Sequence, residues 1–314
     1  MEISLGLWAA FAAMLCWGFG DFFIQRTTRR IGSVESLFFI GLFGSIVLFP
    51  FVAPDLPAIL NWNDLLLLGF LGVMTFIVAI FNFEGLRLGK LSIIDVLLEI
   101  ELPITVILGL VVLGESVSFV QLALMGLILG GCILIALESL PPPTASAIRH
   151  PQKEHPLWKD SDALFHVGHW SVTLEKGVAF GLLAAFGMGI LNFTTGIASK
   201  GISPLMAIWA PWIIFTVISF IVIVQRKGLG LLLENAVRYP KLIIAESVLD
   251  TAAWVFFAIA LFGNPISITT AITESYPAIA LLLGFWINQE QIALHQWAGI
   301  ALAIFSSVTL VFLV

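Results

Sequence analysis

Long apolar stretches separated by short polar breaks recur along almost the whole chain. Ten of these stretches approach or exceed the roughly 20 residues that a helix needs to cross a bilayer, so the pattern predicts ten transmembrane helices. Their approximate bounds are 4–25, 36–54, 64–86, 91–113, 119–138, 174–199, 203–225, 241–263, 266–288 and 293–313. One break is much longer: residues 140–173 contain three consecutive prolines, several charges and four histidines, a composition typical of a linker.

The composition excludes a soluble globular domain. Of the 314 residues, 60% are hydrophobic and 11% are charged, whereas an ordinary soluble domain carries about 25% charged residues. The mean hydropathy is +1.07. The chain has no basic cluster, so no nucleic acid is expected as a partner. These features predict an all-α membrane protein that crosses the lipid bilayer many times.

The two halves of the chain share a set of residues in the same order, which indicates a duplication. Three glycines recur 169 residues later, a glycine and a proline recur 174 residues later, and a Glu and a Gln recur after one more inserted residue. The pairs are Gly18 and Gly187, Gly20 and Gly189, Gly32 and Gly201, Gly89 and Gly263, Pro103 and Pro277, Glu115 and Glu290, and Gln121 and Gln296. We therefore predict a first five-helix repeat (1–139), a polar linker (140–173) and a second five-helix repeat (174–314).

The odd number of spans in each repeat sets their relative orientation. A duplicated block of five crossings must insert its second copy upside down in the membrane. The basic residues agree, since 13 of the 14 Lys and Arg residues follow odd-numbered spans and only Lys200 does not. The positive-inside rule makes those loops cytoplasmic and places both termini on the opposite face. Inverted repeats of this kind are an architecture of secondary transporters.

A series of motif residues appears in the first half and recurs in the second. It comprises the WGFG stretch at 17–20, Pro103, Gly114, Glu115 and Gln121, and its repeat comprises Pro277, Glu290, Gln296 and Gly299. This series resembles the EamA-type members of the drug/metabolite transporter superfamily, over nearly the whole chain except the linker. The resemblance implies two inverted five-helix repeats and transport of small organic solutes, without enzyme activity or a cofactor. It also implies a central cavity, which we place between spans 1, 3, 4, 6, 8 and 9.

The loop after span 2 departs from the pattern of that family. Members usually have cytoplasmic termini and a basic loop at this position, whereas here the loop carries Asp55 and Asp64 and has no Lys or Arg. Either the protein is inserted the other way up, or the span count is off by one. We favour inversion, in the cell membrane, with both termini on the non-cytoplasmic side.

Seven acidic residues lie inside the predicted spans, at depths where the sequence places no Lys or Arg. An ionised acid at a helix centre costs roughly 2.5–3.5 kcal/mol, so these residues face an interior cavity, carry a proton, or both. The six predicted to bind substrate or couple protons are Glu99, Asp250, Glu274, Asp95, Glu101 and Asp21, and the seventh is Glu246. They favour proton coupling or an amine-bearing or cationic substrate; alternatively, they are protonated groups that hydrogen-bond neighbouring helices.

Helix geometry restricts which acids of span 4 can meet. Asp95 and Glu99 share a helix face, whereas Glu101 lies about 200° from Glu99, so one straight helix cannot present both to one cavity. Pro103 removes the hydrogen bond to the carbonyl of Glu99, and Pro277 does the same at Thr273. We therefore expect Pro103 and Pro277 to kink their helices and to free carbonyl groups for binding.

Polar and aromatic residues could complete the binding site, and glycine residues could allow its helices to bend. The predicted binding residues of the first two kinds are Asn82, Asn192, Thr273, Ser275, Trp17 and Trp254. The polar ones could instead only join helices. Aromatic rings could wall a cavity for an organic cation, although interfacial anchoring and core packing are their commoner roles. The glycines predicted to allow close helix approach or bending are Gly18, Gly20, Gly187 and Gly189.

The overall prediction is a secondary transporter of small organic metabolites or drugs, working by alternating access, with an uncoupled facilitator of neutral metabolites as its alternative. A G-x-G-D signature at 18–21 also raises an intramembrane aspartyl protease, which would need Asp21 within hydrogen-bonding distance of Asp250 or Asp95. A third alternative is a non-transporting membrane sensor. The histidines of the linker match no firm metal pattern, so no metal is expected. The expected partners are a small organic solute, the bilayer and protons, in a monomer or homodimer.

Overall fold

Nearly all of the structure is α-helix, because a segment in a bilayer must satisfy its backbone hydrogen bonds internally. The computed structural model describes residues 5–89, 91–136, 165–167, 170–172, 176–288 and 293–313. The elements of the first half are α1 (Leu5–Ile31), α2 (Ser33–Val52), a 3₁₀ helix (Ala53–Leu60), α3 (Trp62–Leu88), α4 (Leu91–Leu98), α5 (Glu101–Val112) and α6 (Phe119–Ala136).

The second half is preceded by a short antiparallel hairpin, β1 (Phe165–Val167) and β2 (Trp170–Val172), in which Phe165 pairs with Val172. Its helices are α7 (Lys176–Gly201), α8 (Pro204–Gln225), α9 (Leu229–Arg238), α10 (Pro240–Gly263), α11 (Ile266–Thr273), α12 (Tyr276–Asn288) and α13 (Leu294–Phe312). His166 lies in β1. Four residues considered above lie outside the described residues: His150, His155, His169 and Glu290.

Among the described residues, six helical segments are long and apolar enough to cross a membrane. They are Leu5–Ile31, Ser33–Pro57, Trp62–Leu88, Lys176–Gly201, Pro204–Gln225 and Pro240–Gly263. Shorter apolar helices occupy the remaining predicted spans, and spans 4 and 9 are each divided into two half-helices, α4 with α5 and α11 with α12. The sequence analysis missed α9, because a ten-residue helix that contains Glu234, Asn235 and Arg238 is too short and polar to read as a span.

The two halves interleave rather than lie side by side. The main helix contacts join α1 to α10, α2 to α8, α3 to α7, and α6 to α13, each pair taking one helix from each half. The largest buried apolar cluster likewise mixes both halves, with Ile40 and Leu68 packed together with Phe215. This cross-half packing surrounds a central space that helices of both repeats reach.

Candidate functional site

The site is organised by two helix breaks at equivalent places in the two halves. The half-helix α4 ends at Leu98 and α5 begins at Glu101, while α11 ends at Thr273 and α12 begins at Tyr276. Each bound in the second half lies 175 residues after its counterpart. The alignment of Pro103 with Pro277, at a spacing of 174, is therefore one residue out of register with the helices.

At both breaks the regular helix is interrupted for two residues, Glu99 and Ile100 in the first half and Glu274 and Ser275 in the second. Hydrogen bonds between residues three apart replace some of the regular bonds between residues four apart. The amide of Leu102 donates to the carbonyl of Glu99 at 3.2 Å, and the amide of Ser275 donates to the carbonyl of Ile272 at 3.3 Å. Pro103 and Pro277 lie in the first turn of the following half-helix, where the missing amide hydrogen costs little. The sequence predicted kinks at these prolines, and the structure has complete breaks just before them.

Glycines let helices of the opposite repeat pack directly against the breaks. A Cβ added to Gly18 would lie 2.6 Å from the Cβ of Ile279, and one added to Gly189 would lie 2.7 Å from the Cβ of Ile104. Gly187 is equally confined, since an added Cβ would lie 2.4 Å from Val78. At Gly20 the nearest atom would be 3.7 Å away, an ordinary contact, so three of the four predicted glycines are needed for close approach.

A cavity lies between the two breaks and the helices around them. It contains about 690 Å³ of space not filled by protein atoms, including the open space at its mouth. Four carboxyl groups line it: Asp21 of α1, Glu101 of α5, Asp250 of α10, and Glu274 at the second break. The other lining residues are Trp17, Ile24, Leu37, Thr75, Ala79, Asn82, Phe83, Leu98, Met188, Leu191, Asn192, Trp212, Phe215, Trp254 and Tyr276. Besides the predicted spans, α2 and α8 therefore contribute to the wall.

The four carboxyl groups interact with one another rather than with cations. The carboxyls of Glu101 and Glu274 lie close enough to interact with each other, and Asp21 lies near enough to interact electrostatically with Asp250 and Glu274. No Lys or Arg of the described residues lines the cavity. Two ionised carboxylates at close range repel each other, so this arrangement favours a state in which Glu101 and Glu274 share a proton.

Glu99 and Asp95 lie behind the cavity wall. Both are only 1% exposed and neither lines the cavity. Glu99 lies beside the thiol of Cys132 on α6, and neither carboxyl oxygen of Asp95 has a hydrogen-bond partner among the described residues. The break separates Glu99 from Glu101, so only Glu101 reaches the cavity. The sequence predicted that the two acids point apart and favoured Glu99 over Glu101 for a direct role in the site.

Thr273 and Ser275 also flank the second break without lining the cavity. The hydroxyl of Thr273 lies 3.2 Å from Oε1 of Glu274 and 3.0 Å from the carbonyl oxygen of Thr270, so it positions the Glu274 side chain. Ser275 is fully buried, and its hydroxyl is hydrogen-bonded to that of Ser307 on α13. Both residues therefore support the break rather than face the central space.

Aromatic rings form much of the cavity wall. The ring centre of Trp17 lies 5.3 Å from that of Trp254 in an edge-to-face arrangement and 6.5 Å from that of Tyr276. Trp212 also lines the cavity, whereas Trp209 donates its indole Nε1–H to the carbonyl of Ser45 at 2.9 Å. Such rings stack readily against organic groups and attract cations through their faces.

Several cavity residues were not predicted from the sequence. They include Thr75, Phe83, Met188, Phe215 and Tyr276. The sequence pattern on α3 could have identified Thr75, because Thr75 and Asn82 are two turns apart and therefore lie on one helix face. Tyr276 gave no such signal, because its position depends on the break that immediately precedes it.

The aspartate pair that a protease would require is not formed. Asp21 interacts electrostatically with Asp250 and with Asp95, but it is hydrogen-bonded to neither in the described structure. The two carboxyls of an aspartyl protease must instead share a proton directly. The carboxyl pair that does meet, Glu101 with Glu274, lies outside the G-x-G-D segment.

These features define a polytopic helical membrane protein with paired broken helices around an acidic, aromatic cavity. The model of the EamA-like transporter family matches residues 4–137 and again residues 175–312, and the chain belongs to this family of transporters. A protein of known crystal structure matches 99% of this chain and 98% of its own, with a TM-score of 0.71 and 11% sequence identity. That similarity establishes the shared fold alone. Comparison with curated proteins gives no match.

Proposed function

We propose that the protein is a secondary transporter of small organic amines or other organic cations. The observation that carries the proposal is the cavity, in which Asp21, Glu101, Asp250 and Glu274 meet aromatic rings and no Lys or Arg of the described residues. A cation entering this space gains carboxylate partners that the protein itself does not neutralise. Trp17 and Trp254 would enclose its organic part.

The proposed transport cycle is alternating access between two inverted five-helix repeats. Ten spans follow when each pair of half-helices, α4 with α5 and α11 with α12, crosses the membrane once. All Lys and Arg residues except Lys200 then lie on the cytoplasmic side, and both termini lie on the other side of the cell membrane. Broken helices at a repeat interface are typical of this mechanism, and Gly18 and Gly189 would act as contact points about which α1 and α7 tilt.

We propose that a proton gradient drives transport. The proton shared by Glu101 and Glu274 occupies the same carboxyl groups that a bound cation needs. Binding of the cation therefore requires release of that proton, and return of the proton favours release of the cation. This exclusion converts a proton gradient into transport of an organic cation across the membrane.

A thermal-shift screen of the purified protein against amines, neutral metabolites and anions, at pH 5.5 and pH 8, tests the binding step. A ligand that binds the folded state raises its apparent stability. We expect amines to raise the melting temperature, and Glu101→Gln or Glu274→Gln to remove that effect. The control is Glu234→Gln, which alters an exposed acid on α9 and should preserve the shift.

The same screen separates the main alternative. If neutral metabolites raise the melting temperature equally in the wild type and in both cavity variants, the acids do not select the substrate. The protein would then be a facilitator of neutral metabolites, and the cationic assignment would be wrong.

A further inference from the structure

Glu246 is a buried acid that the cavity does not use. It lies on α10 with 0% exposure and is not among the cavity-lining residues. Asp250, which does line the cavity, is four residues further along the same helix. Side chains at this spacing are neighbours on one helix face, about 5–6 Å apart at their Cβ atoms. Glu246 therefore lies one helical turn behind the cavity, on the side of the α10 N-terminus.

Two hydroxyl groups from other helices face the Glu246 carboxyl. Ser36 of α2 donates a hydrogen bond to Oε2 at 2.7 Å, while Thr27 of α1 lies beside the same carboxyl. The hydroxyl of Thr27 already donates its single hydrogen to the carbonyl of Phe23 at 2.9 Å. Towards Glu246, Thr27 can accept a hydrogen bond from a protonated carboxyl while it keeps this bond, or donate to an ionised carboxyl by giving it up.

This arrangement leaves a place for one proton on Glu246. Its Oε1 accepts no hydrogen bond from any described residue. A proton on Oε1 would give this oxygen a hydrogen to donate, with Thr27 as an acceptor, whereas an ionised carboxylate would leave Oε1 buried without a donor unless Thr27 gave up its bond to Phe23.

The charges around Glu246 also favour exchange of a proton between Glu246 and the carboxyl groups of the cavity. Among the described residues, Glu246 forms no ion pair, and its titratable neighbour is Asp250 on its own helix. The helices packed against α10 contribute uncharged groups here, Thr27 from α1 and Ser36 from α2. Asp250 in turn interacts with Asp21 across the cavity. Glu246 and Asp250 therefore share an environment with no fixed positive charge. A single proton in this environment can neutralise either carboxyl, but only one of them at a time.

We propose that Glu246 is a proton acceptor for Asp250, storing the proton that Asp250 gives up when a cation occupies the cavity. In this step the O–H bond of Asp250 breaks and an O–H bond forms on Oε1 of Glu246, directly or through one water, and no other reactant is consumed. The site rests on the proposed function and extends it, since the stored proton lies outside the cavity, towards the face with the basic loops. Gln at position 246 preserves the acceptor for Ser36 but cannot take the proton.

Infrared spectroscopy of the carboxyl protons, recorded with and without the amine that raises the melting temperature most in the thermal-shift screen, tests this proposal. The carbonyl-stretch band that is lost in Glu246→Gln is assigned to protonated Glu246. After mixing with D₂O, the shift of this band measures the hydrogen–deuterium exchange of the Glu246 carboxyl proton. We expect Asp250→Asn to slow that exchange about 100-fold, the lower end of what a positioned proton-transfer group contributes, and Asp250→Glu to restore it. The matched comparison is Glu234→Gln, which removes an exposed carboxyl of α9 and should leave the rate unchanged.

Two outcomes would overturn the proposal. Equal exchange rates in the wild type and Asp250→Asn would mean that Glu246 exchanges by local opening and only joins α2 to α10. Absence of a protonated Glu246 band in the amine-bound protein between pH 5.5 and pH 8 would mean that it stores no proton. Neither result affects the binding of amines in the cavity, which the thermal-shift screen measures separately.

Discussion

The carboxylate of Glu115 holds Ser267 from the opposite half of the chain, with Oε2 accepting the main-chain amide at 3.1 Å and the hydroxyl at 2.6 Å. Its Oε1 accepts the amide of Ile266 at 2.6 Å, and Nζ of Lys200 lies 3.7 Å away. An acid of the first repeat thus satisfies the exposed amides at the start of α11, where negative charge is favoured. This contact anchors the second broken helix at the face opposite the basic loops.

Replacing Glu115 with Gln should destabilise the protein by about 1–3 kcal/mol, because the variant loses charge-assisted bonds to the α11 amides. The measurement is the melting temperature in detergent, which should fall. Glu234→Gln is the matched control, since Glu234 and Arg238 form an exposed pair of the kind that contributes little. An equal effect of both substitutions would show that the α11 contact contributes nothing specific.

Gly18→Ala and Gly189→Ala should each destabilise the fold by about 1–3 kcal/mol, since the added methyl groups overpack the contacts with Ile279 and Ile104. Gly69→Ala provides the control, because a Cβ there meets no atom within 4 Å and alanine favours a helix over glycine. Thermal unfolding of the three variants checks the prediction. A stable Gly189→Ala variant would contradict the close approach of α7 to the first break.

The two tryptophans of α8 should have different roles. Trp209→Phe loses the hydrogen bond to the carbonyl of Ser45, so we expect a loss of about 1 kcal/mol in stability and little change in ligand binding. Trp212→Phe should in addition weaken ligand binding, because Trp212 lines the cavity. Melting temperatures with and without the amines found in the screen separate the two effects. Equal ligand effects in both variants would place the binding site elsewhere.

Amine binding should be tighter at pH 8 than at pH 5.5 and should release a proton. Protons and the cation compete for the same carboxyl groups, so lowering the pH occupies those groups and weakens binding. Calorimetry in two buffers of different ionisation enthalpy measures the released proton. We expect Glu101→Gln to weaken binding about 10-fold or more and to reduce the proton release. Binding that strengthens as the pH falls would rule out this competition.

Much of the architecture was already present in the sequence. The positions of the apolar stretches follow from the length a helix needs to cross a bilayer, and the paired motifs at 17–20, Pro103 and Pro277 identified the family, which the match to both halves confirms. The acids of the spans were also visible, because ionisable residues are costly in lipid. Of the six predicted acids, Asp21, Glu101, Asp250 and Glu274 line the cavity.

Only the tertiary structure decided which side of each break faces inward. A break of two residues rotates the following half-helix relative to the preceding one, and the sequence periodicity does not give the size of that rotation. As a result, Glu101 and Tyr276 line the cavity while Glu99 lies behind it. The 175-residue register, the short helix α9 and the participation of α2 and α8 depend in the same way on packing between the halves. Local pattern therefore determined the spans and their charges, and contacts between distant segments determined the site.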